Sequence, residues 1–392
     1  MSFRYTTAGE SHGPELTAII EGVPAGLSLA AKQINADLAR RQLGHGRGGR
    51  MKIETDSAVF TAGLRHGLTL GSPIGLRIIN SDWKNWQEEM AADGPRAEGL
   101  TDPLKVPRPG HADLAGMQKF GLDDARSVLE RASARETAAR VAAGAIARTL
   151  LSQFGVSVAS HVVRIGGAVA EPRDIKSIED FASVDDSPVR CLDYGAAEAM
   201  VAEIDAASKA GESLGGIFEV ITFGLVPGLG SYASGPERLG GLIGGALMSI
   251  PAIKGAEIGG GFSLGGLTGS LVHDEIIFNG ESGFSRRTNN AGGLEGGMTN
   301  GEPVVARAVM KPIPTLTKPL KTVDVSTGKE QLAFKERSDV CAVPAAAVVG
   351  EAMLAIELAK AFLAKFGGDC LADVKESYLV YLKRLRGSWP RA

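Results

Sequence analysis

Apolar residues in this chain recur at two periods, and each period predicts its own set of elements. A helical spacing runs from Ser28-Leu29 to Leu43, where Ile34 and Leu38 share a face, Ser28 is the N-cap and Gly44 the stop. A longer helical pattern runs from Asp123 to Phe154 and ends at Gly155. Within it, Ser133-Ala134-Arg135-Glu136 has the spacing of a capping box, so a helix restarts at Ser133 with Arg131 just before it. Further helices are predicted over Tyr194 to Ala210 ahead of Gly211, over Pro236 to Ile250 with proline at the opening, and over the alanine-rich stretch from Pro344 to Phe366, closed by Gly367. Strand-like stretches fall at Met51 to Phe60, Ile74 to Asn80, Val156 to Ile165, Ile217 to Val226, Leu271 to Phe278 and Val304 to Met310. Helices and strands alternate without the regular βαβ spacing of a doubly wound sheet, which predicts the α+β class. No boundary has the composition of a flexible linker and no repeat of roughly 20–50 residues stands out; the length suits one large domain or two smaller ones.

Composition narrows the class further. With 392 residues, 44% of them hydrophobic, the chain has ample material for a core, and a net charge of -3 implies no bulk attraction to nucleic acid or membrane. Cys191, Cys341 and Cys370 are too far apart for a C-x-x-C pair; scattered thiols suit a reducing compartment and carry no metal signature. The segment Met1 to Tyr5 lacks the apolar stretch of a signal peptide, and no run approaches the ~18 apolar residues of a membrane span. A soluble cytoplasmic protein is the expectation. Glycine is the anomaly: 52 residues, about 13% against an average near ~7%. It gathers at Gly44 to Gly49, Gly240 to Gly245, Gly259 to Gly266 and Gly292 to Gly301. Most such clusters are turns; some let backbone N–H groups approach a ligand.

Two of the six histidines sit in turn-forming, polar settings: His12 in Ala8-Gly9-Glu10-Ser11-His12-Gly13 and His111 in Pro107-Arg108-Pro109-Gly110-His111-Ala112-Asp113. Tight turns lie at surfaces and clefts, where an imidazole can move protons near neutral pH. The stretch from Arg40 to Lys52 holds five Lys/Arg and no acid. Arginines on a glycine loop grip phosphate or carboxylate through forked hydrogen bonds; a solvated basic turn or an RNA-binding arm is the alternative, and the RNA reading lacks interleaved aromatics. Arg131, Ser133 and Arg135 at a helix start would make an anion site, or simply an exposed arginine face. Lys311-Pro312-Ile313-Pro314-Thr315 is a stiff loop able to hold a polar ligand edge, or only a loop. Asp339 could orient a donor or take a proton, or serve as an ordinary turn residue. There is no G-x-x-x-x-G-K-[ST], no G-x-S-x-G nucleophile elbow and no H-x-x-x-H pair, and His161 and His273 fall in strand-like segments where a structural role is expected. The residues alone describe an enzyme for a small, multiply anionic substrate, with a histidine protonating a leaving phosphate.

Taken together, these segments resemble the chorismate synthase family, and the resemblance spans nearly the whole chain. It rests on Ala8 to Pro14, Arg40-Arg41-Gln42 with Gly46 to Arg50, Pro107 to Asp113, Glu130 to Thr137, Arg286-Arg287-Thr288-Asn289-Asn290, Gly296-Gly297-Met298, Lys311 to Thr315 and Arg337-Ser338-Asp339. The resemblance implies a single domain over residues 1–392, antiparallel sheets sandwiching helices, a homotetramer, and conversion of 5-enolpyruvylshikimate 3-phosphate to chorismate and phosphate. That reaction is a 1,4-anti elimination that needs reduced FMN without net redox change. By the same resemblance His12 is the proton donor to the leaving phosphate, His111 stands at the flavin, and Asp339 tunes a proton there. Arg41, Arg47, Arg108, Arg135 and Arg337 hold substrate. Arg131, Ala132, Ser133, Gly296, Lys311, Pro312, Ile313, Pro314, Thr315 and Arg337 contact FMN. The family usually has a polar residue where this chain has Gly245, so Gly245 and Ala246 can offer flavin only backbone. Some members reduce the flavin with NADPH and others rely on an external reductase or reductant; both remain open here. The competing reading is a flavin-dependent oxidoreductase acting on a small phosphorylated acid, for which no nicotinamide fingerprint stands out.

Overall fold

Two antiparallel sheets enclose a layer of helices in the computed structural model, which describes residues 2–48, 55–94, 99–280, 283–334 and 339–388. The first sheet has the strand order Arg4–Ala8, Glu15–Glu21, Ile74–Ile79, Ala58–Ala62. Its period-two pattern sets which face turns inward. Leu16, Ala18 and Ile20 are buried with Ile74, Leu76 and Ile78, while Ile19 and Ile79 are exposed. The second sheet has the order Ile253–Ile258, Val304–Met310, Gly216–Phe223, Ser157–Ile165, Ala168–Val169. Its central strand Gly216–Phe223 is covered on both sides. Phe218 and Val220 meet the helices, and Ile221 and Phe223 join Ala159, Phe181 and Val184 in a small outer cluster.

The helices are α1 (Ala31–Gln42), α2 (Asp113–Phe120), α3 (Arg126–Ala132), α4 (Thr137–Ser152), α5 (Tyr194–Ala210), α6 (Leu239–Met248), α7 (Gly269–Val272), α8 (Val343–Phe366) and α9 (Leu371–Ser388). Helix α8 is apolar on nearly every side, and the fold buries it accordingly, between α4 and the second sheet. Helix α4 in turn covers the first sheet. This is the expected sandwich of sheets around helices. The two central helices approach closely because Gly144 has no side chain: a Cβ there would lie 2.3 Å from Ala352 Cβ. Among the described residues no helix is long and apolar enough to cross a membrane.

Several elements match the sequence reading, and the differences have physical causes. Helix α5 and the strand Val304–Met310 begin and end as expected. Helix α1 starts later than Ser28: Ala30 is the cap residue, and its N–H is taken by Gln33 Oε1 at 2.8 Å, while Ser28 pairs in a bridge with Leu68. The break at Ser133 is present, but the new helix opens with a 3-10 turn, Ala134–Glu136, and Glu136 reaches forward to Arg140 at 2.9 Å instead of back to the cap. Pro236 likewise opens a 3-10 turn, Gly235–Glu237, before α6. The stretch from Leu271 to Phe278 divides: Leu271 lies in α7, His273 is exposed at its end, and the strand is only Ile276–Asn279, paired with Gly283–Arg286. Of Met51 to Phe60, the observed strand is Ala58–Ala62, and residues 51–54 lie outside the described ones. Helix α9 and the opening hairpin, Arg4–Ala8 with Glu15–Glu21, were not anticipated.

One polar cluster crosses this apolar core. Glu351 of α8 is fully buried; its carboxylate accepts from Arg40 Nη1 and Nη2, both at 2.8 Å, from Ser160 Oγ at 2.6 Å and from Arg190 Nη2 at 3.2 Å. Burial alone would raise its pKa, but the charges of Arg40, Arg148 and Arg190 outweigh it and hold the group down at about 2. Burial pushes the fully buried Arg190 down to about 10 despite Glu351, so it stays protonated at neutral pH.

Two measurements check this packing. Gly144→Val should destabilise the fold by about 3 kcal/mol, the upper range for overpacking, read as a lowered urea midpoint. Because the folded pKa of Glu351 lies below its unfolded value near ~4.3, its contribution is complete above that value and fades as pH falls towards about 2. Unfolding free energy should therefore drop over this acid range, more steeply in the wild type than in Glu351→Gln; equal slopes would contradict the assignment.

Candidate active site

The turn between the first two strands carries His12. Gly9 opens that turn at φ +107, and a Cβ there would lie 2.4 Å from the Glu15 carbonyl oxygen, so only glycine fits the bend. The His12 ring stacks on Trp86 with ring centres 4.0 Å apart. Its Nδ1 faces both Glu130 oxygens, at 2.8 and 3.1 Å, and its backbone N–H donates to the same carboxylate at 2.8 Å. Glu130 is buried in α3. Burial pulls its pKa up, but hydrogen bonds from His12 and the charge of Arg126 bring it below the usual value. A carboxylate so held fixes the ring and makes Nδ1 the donor. Arg126 closes the group, 3.3 Å from Glu130 and stacked over Trp86.

A second group adjoins the first through Asn80. Its side-chain NH2 donates to the Gly13 carbonyl at 2.7 Å, and its Oδ1 accepts from Arg135 Nε at 2.9 Å. Arg135 also pairs with the buried Asp56, on the carboxylate that faces Arg41 at 3.4 Å. Arg41 further donates to Thr137 Oγ1 at 3.0 Å and to the Ala134 carbonyl at 2.9 Å. Burial drives Arg41 down to about 10; Asp56 opposes this, and the positive neighbours Arg47 and Arg135 add to it. Arg47 Nε lies 3.2 Å from Asp339 Oδ2, and Asp339 Oδ1 accepts from the Gly48 N–H at 2.6 Å. Three arginines and two carboxylates are thus packed together where α1, the break after α3 and the glycine loop converge.

The third group forms at the start of α2. Asp113 is fully buried and receives Arg108 Nε at 2.9 Å and the Arg108 backbone N–H at 3.1 Å, while His111 Nδ1 lies 2.5 Å from its other oxygen. Burial would raise Asp113, yet His111 and Arg108 hold it at about 2. Arg108 Nη1 donates to Thr315 Oγ1 at 3.0 Å, and Lys311 Nζ donates to the Gly110 carbonyl at 2.6 Å, so the proline loop closes over this histidine. Ser213 Oγ anchors the loop at the Ile313 carbonyl, between Pro312 and Pro314, at 2.6 Å. Burial and the nearby Lys254 lower the Lys311 pKa. Packing of α2 on α3, with Gly116 against Val128, joins this group to the first.

The structure therefore assembles His12, Ser133, Arg135, Arg41, Arg47 and Asp339 around one polar network, and His111, Arg108, Lys311 and Thr315 around another. Arg131, one residue before Ala132 at the end of α3, directs its guanidinium to the Thr7 and Gly9 carbonyls at 2.9 and 3.0 Å, tying α3 to the first strand. Gly245 and Ala246 lie in α6, whose following residue Ser249 is gripped by Arg140 of α4 at 2.9 Å; a side chain at Gly245 would meet open space. Gly296 is in the turn joining Leu294–Glu295 to Met298–Thr299, held against the start of α6 by the Leu239 N–H on the Gly297 carbonyl at 2.9 Å. Arg337 lies outside the described residues. The sequence reading missed Glu130, Trp86, Asn80 and Asp56. Glu130 stands in the motif from Glu130 to Thr137, but nothing local marks it as the partner of His12; the other three stand in segments with no local signal of a site role. Among the described residues, no group of three or more His, Cys, Asp or Glu could hold a metal ion.

Comparison with known proteins agrees along the whole length. The profile of a family described as chorismate synthase matches residues 3–363. The chorismate synthase of Nocardia farcinica is 54% identical over 388 residues, covering 97% of this chain and 96% of that protein. That of Rubrobacter xylanophilus is 55% identical over 385 residues, with 98% of each covered. A crystal structure of a chorismate synthase superimposes with a TM-score of 0.80 at 42% identity, covering 99% of both chains. With this fold and these residues in place, the chain belongs to the chorismate synthase family of lyases.

Proposed function

We propose that this protein converts 5-enolpyruvylshikimate 3-phosphate to chorismate and phosphate by a 1,4-anti elimination, with reduced FMN bound and no net redox change. What supports this reading is the packed cluster of Arg41, Arg47 and Arg135, joined by Asn80 to the turn that carries His12 and its partner Glu130. A substrate with two carboxylates and one phosphate needs several fixed positive charges, and guanidiniums supply them without losing their protons. In this reading Arg41, Arg47 and Arg135, with Arg337, bind those groups. The C–O bond to phosphate breaks while His12, held by Glu130 at Nδ1, gives the leaving oxygen a proton from Nε2. Arg108, engaged with Asp113 and Thr315, serves by holding His111 and by its charge.

The residues present suit a flavin mononucleotide. Lys311, Lys254 and the Ser133 hydroxyl provide donors for a phosphate or ring carbonyl, and His111 stands beside the 311–315 loop. Ala132, Gly296, Gly245 and Ala246 would add backbone, and Arg131 would keep α3 in place. When bound, reduced FMN supplies electron density that favours phosphate loss and a basic nitrogen for the C6 hydrogen. His111, fixed by Asp113, controls charge at the ring, and Asp339 moves the proton on the substrate side. The flavin is reduced by an external reductase or reductant, or by hydride from NADPH. The enzyme in this reading is a cytoplasmic homotetramer; the exposed Phe262, Leu271, Ile276, Phe278 and Phe284 offer apolar surface for other copies.

His12→Ala and His111→Ala should each fold, with unchanged far-ultraviolet circular dichroism, and lose roughly 10²–10⁴ of kcat in an anaerobic assay of phosphate release. Wild-type turnover in both would remove them as proton-transfer groups. Arg47→Lys should raise KM for the phosphorylated substrate by about tenfold, because an ammonium cannot make the forked contact.

A further inference from the structure

Glu351 has no part in the chemistry proposed above, yet it is a fully buried charge contacted by Arg40, Arg148, Arg190 and Ser160. A buried ion cluster is weak evidence for stability, since apolar side chains of the same volume often do as well. What matters is what the cluster holds. Arg40, which donates two hydrogen bonds to Glu351, is the residue before Arg41 on α1. Neighbouring helical residues point about 100° apart. The half-buried Arg40 side chain therefore turns towards Glu351, while Arg41, on the buried face with Ile34 and Leu38, turns towards Asp56. Glu351 fixes this rotation of the helix from behind.

The same carboxylate also fixes the next segment. Arg190 binds Glu351 and the Ser160 carbonyl, and Asp185 pairs with both Arg40, at 2.8 Å, and Arg190. Residues 185–190 are thereby pinned at both ends. Between them, the Pro188 carbonyl accepts the His45 N–H at 2.7 Å, at the entrance to the loop that carries Arg47. The Arg190 backbone adopts φ 55, unusual for a residue with a side chain, so this geometry is imposed by its surroundings. Helix α1 and the glycine loop are both referenced to one buried carboxylate.

We propose that Glu351 is a positioning residue for substrate binding: it sets the placement of Arg41 and Arg47 without touching substrate or cofactor. This inference rests on the reading of those arginines as substrate ligands. The test is Glu351→Gln in the full-length protein, with Arg47→Lys alongside. KM for the phosphorylated substrate should rise ~10-fold or more in Glu351→Gln, while the Kd for oxidised FMN without substrate, read by flavin fluorescence, stays within about twofold. A folded Glu351→Gln protein with unchanged KM, beside a raised KM in Arg47→Lys, overturns the positioning role and leaves the arginine reading intact. Unchanged KM in both removes the arginine reading and this inference with it. Parallel loss of substrate and FMN binding would mean general damage and would also refute it. Should Glu351→Gln not fold, the partly exposed Asp185→Asn detaches Arg40 and Arg190 from one shared partner; it should give a smaller KM rise with FMN binding intact, and no rise would overturn the proposal.

Discussion

Holding several arginines together before any anion arrives is the constraint on which the rest of this structure depends. Arg41, Arg47 and Arg135 repel one another, and Arg41 and Arg135 are buried. Bringing a charge out of water costs several kcal/mol unless it is paired. Asp56 and Asp339 reduce the repulsion, and Asn80, Thr137 and the Ala134 carbonyl take up further N–H groups. The result is a fixed field of positive charge that, in the proposed reaction, needs little rearrangement to meet an anionic substrate, the preorganisation on which electrostatic catalysis relies.

The sandwich supplies the rigidity this demands. The functional segments leave regular elements: the turn after Arg4–Ala8, the loop after α1, the break between α3 and α4, and the proline loop after Val304–Met310. Each is tied to a neighbour by side chain or backbone, as Arg131 ties α3 to the first strand and Lys311 ties the proline loop to Gly110. Both loop histidines are also built alike. Each presents Nδ1 to a buried carboxylate, Glu130 for His12 and Asp113 for His111, and each carboxylate is shared with an arginine. One plan therefore holds two histidines in different surroundings.

What could be read from the sequence was local chemistry. Helix α5 shows its limits because Asp193 caps it, accepting from the Ala196 N–H at 3.1 Å, and Gly211 ends it in the left-handed conformation. Ser133 marked a break for the same kind of reason, although the 3-10 turn behind it depends on Arg135 reaching Asn80 and Asp56. The opening hairpin was missed because Arg4-Tyr5-Thr6-Thr7-Ala8 has little apolar alternation, and its partner strand defines it. Glu130 and Asp56 were out of reach because their roles are set across the chain: Glu130 lies 118 positions from His12, and Asp56 lies 79 from Arg135. The separate jobs of the two histidines came from the family resemblance, since both settings look alike by residue type.

In the proposed reaction this charged site performs an elimination and leaves the flavin's redox state unchanged. Flavin stoichiometry under strictly anaerobic conditions tests it most directly. With a catalytic amount of dithionite-reduced FMN and excess phosphorylated substrate, chorismate should accumulate over many turnovers while the flavin absorbance shows no net oxidation. One flavin oxidised for each product formed would contradict the account and favour an oxidoreductase.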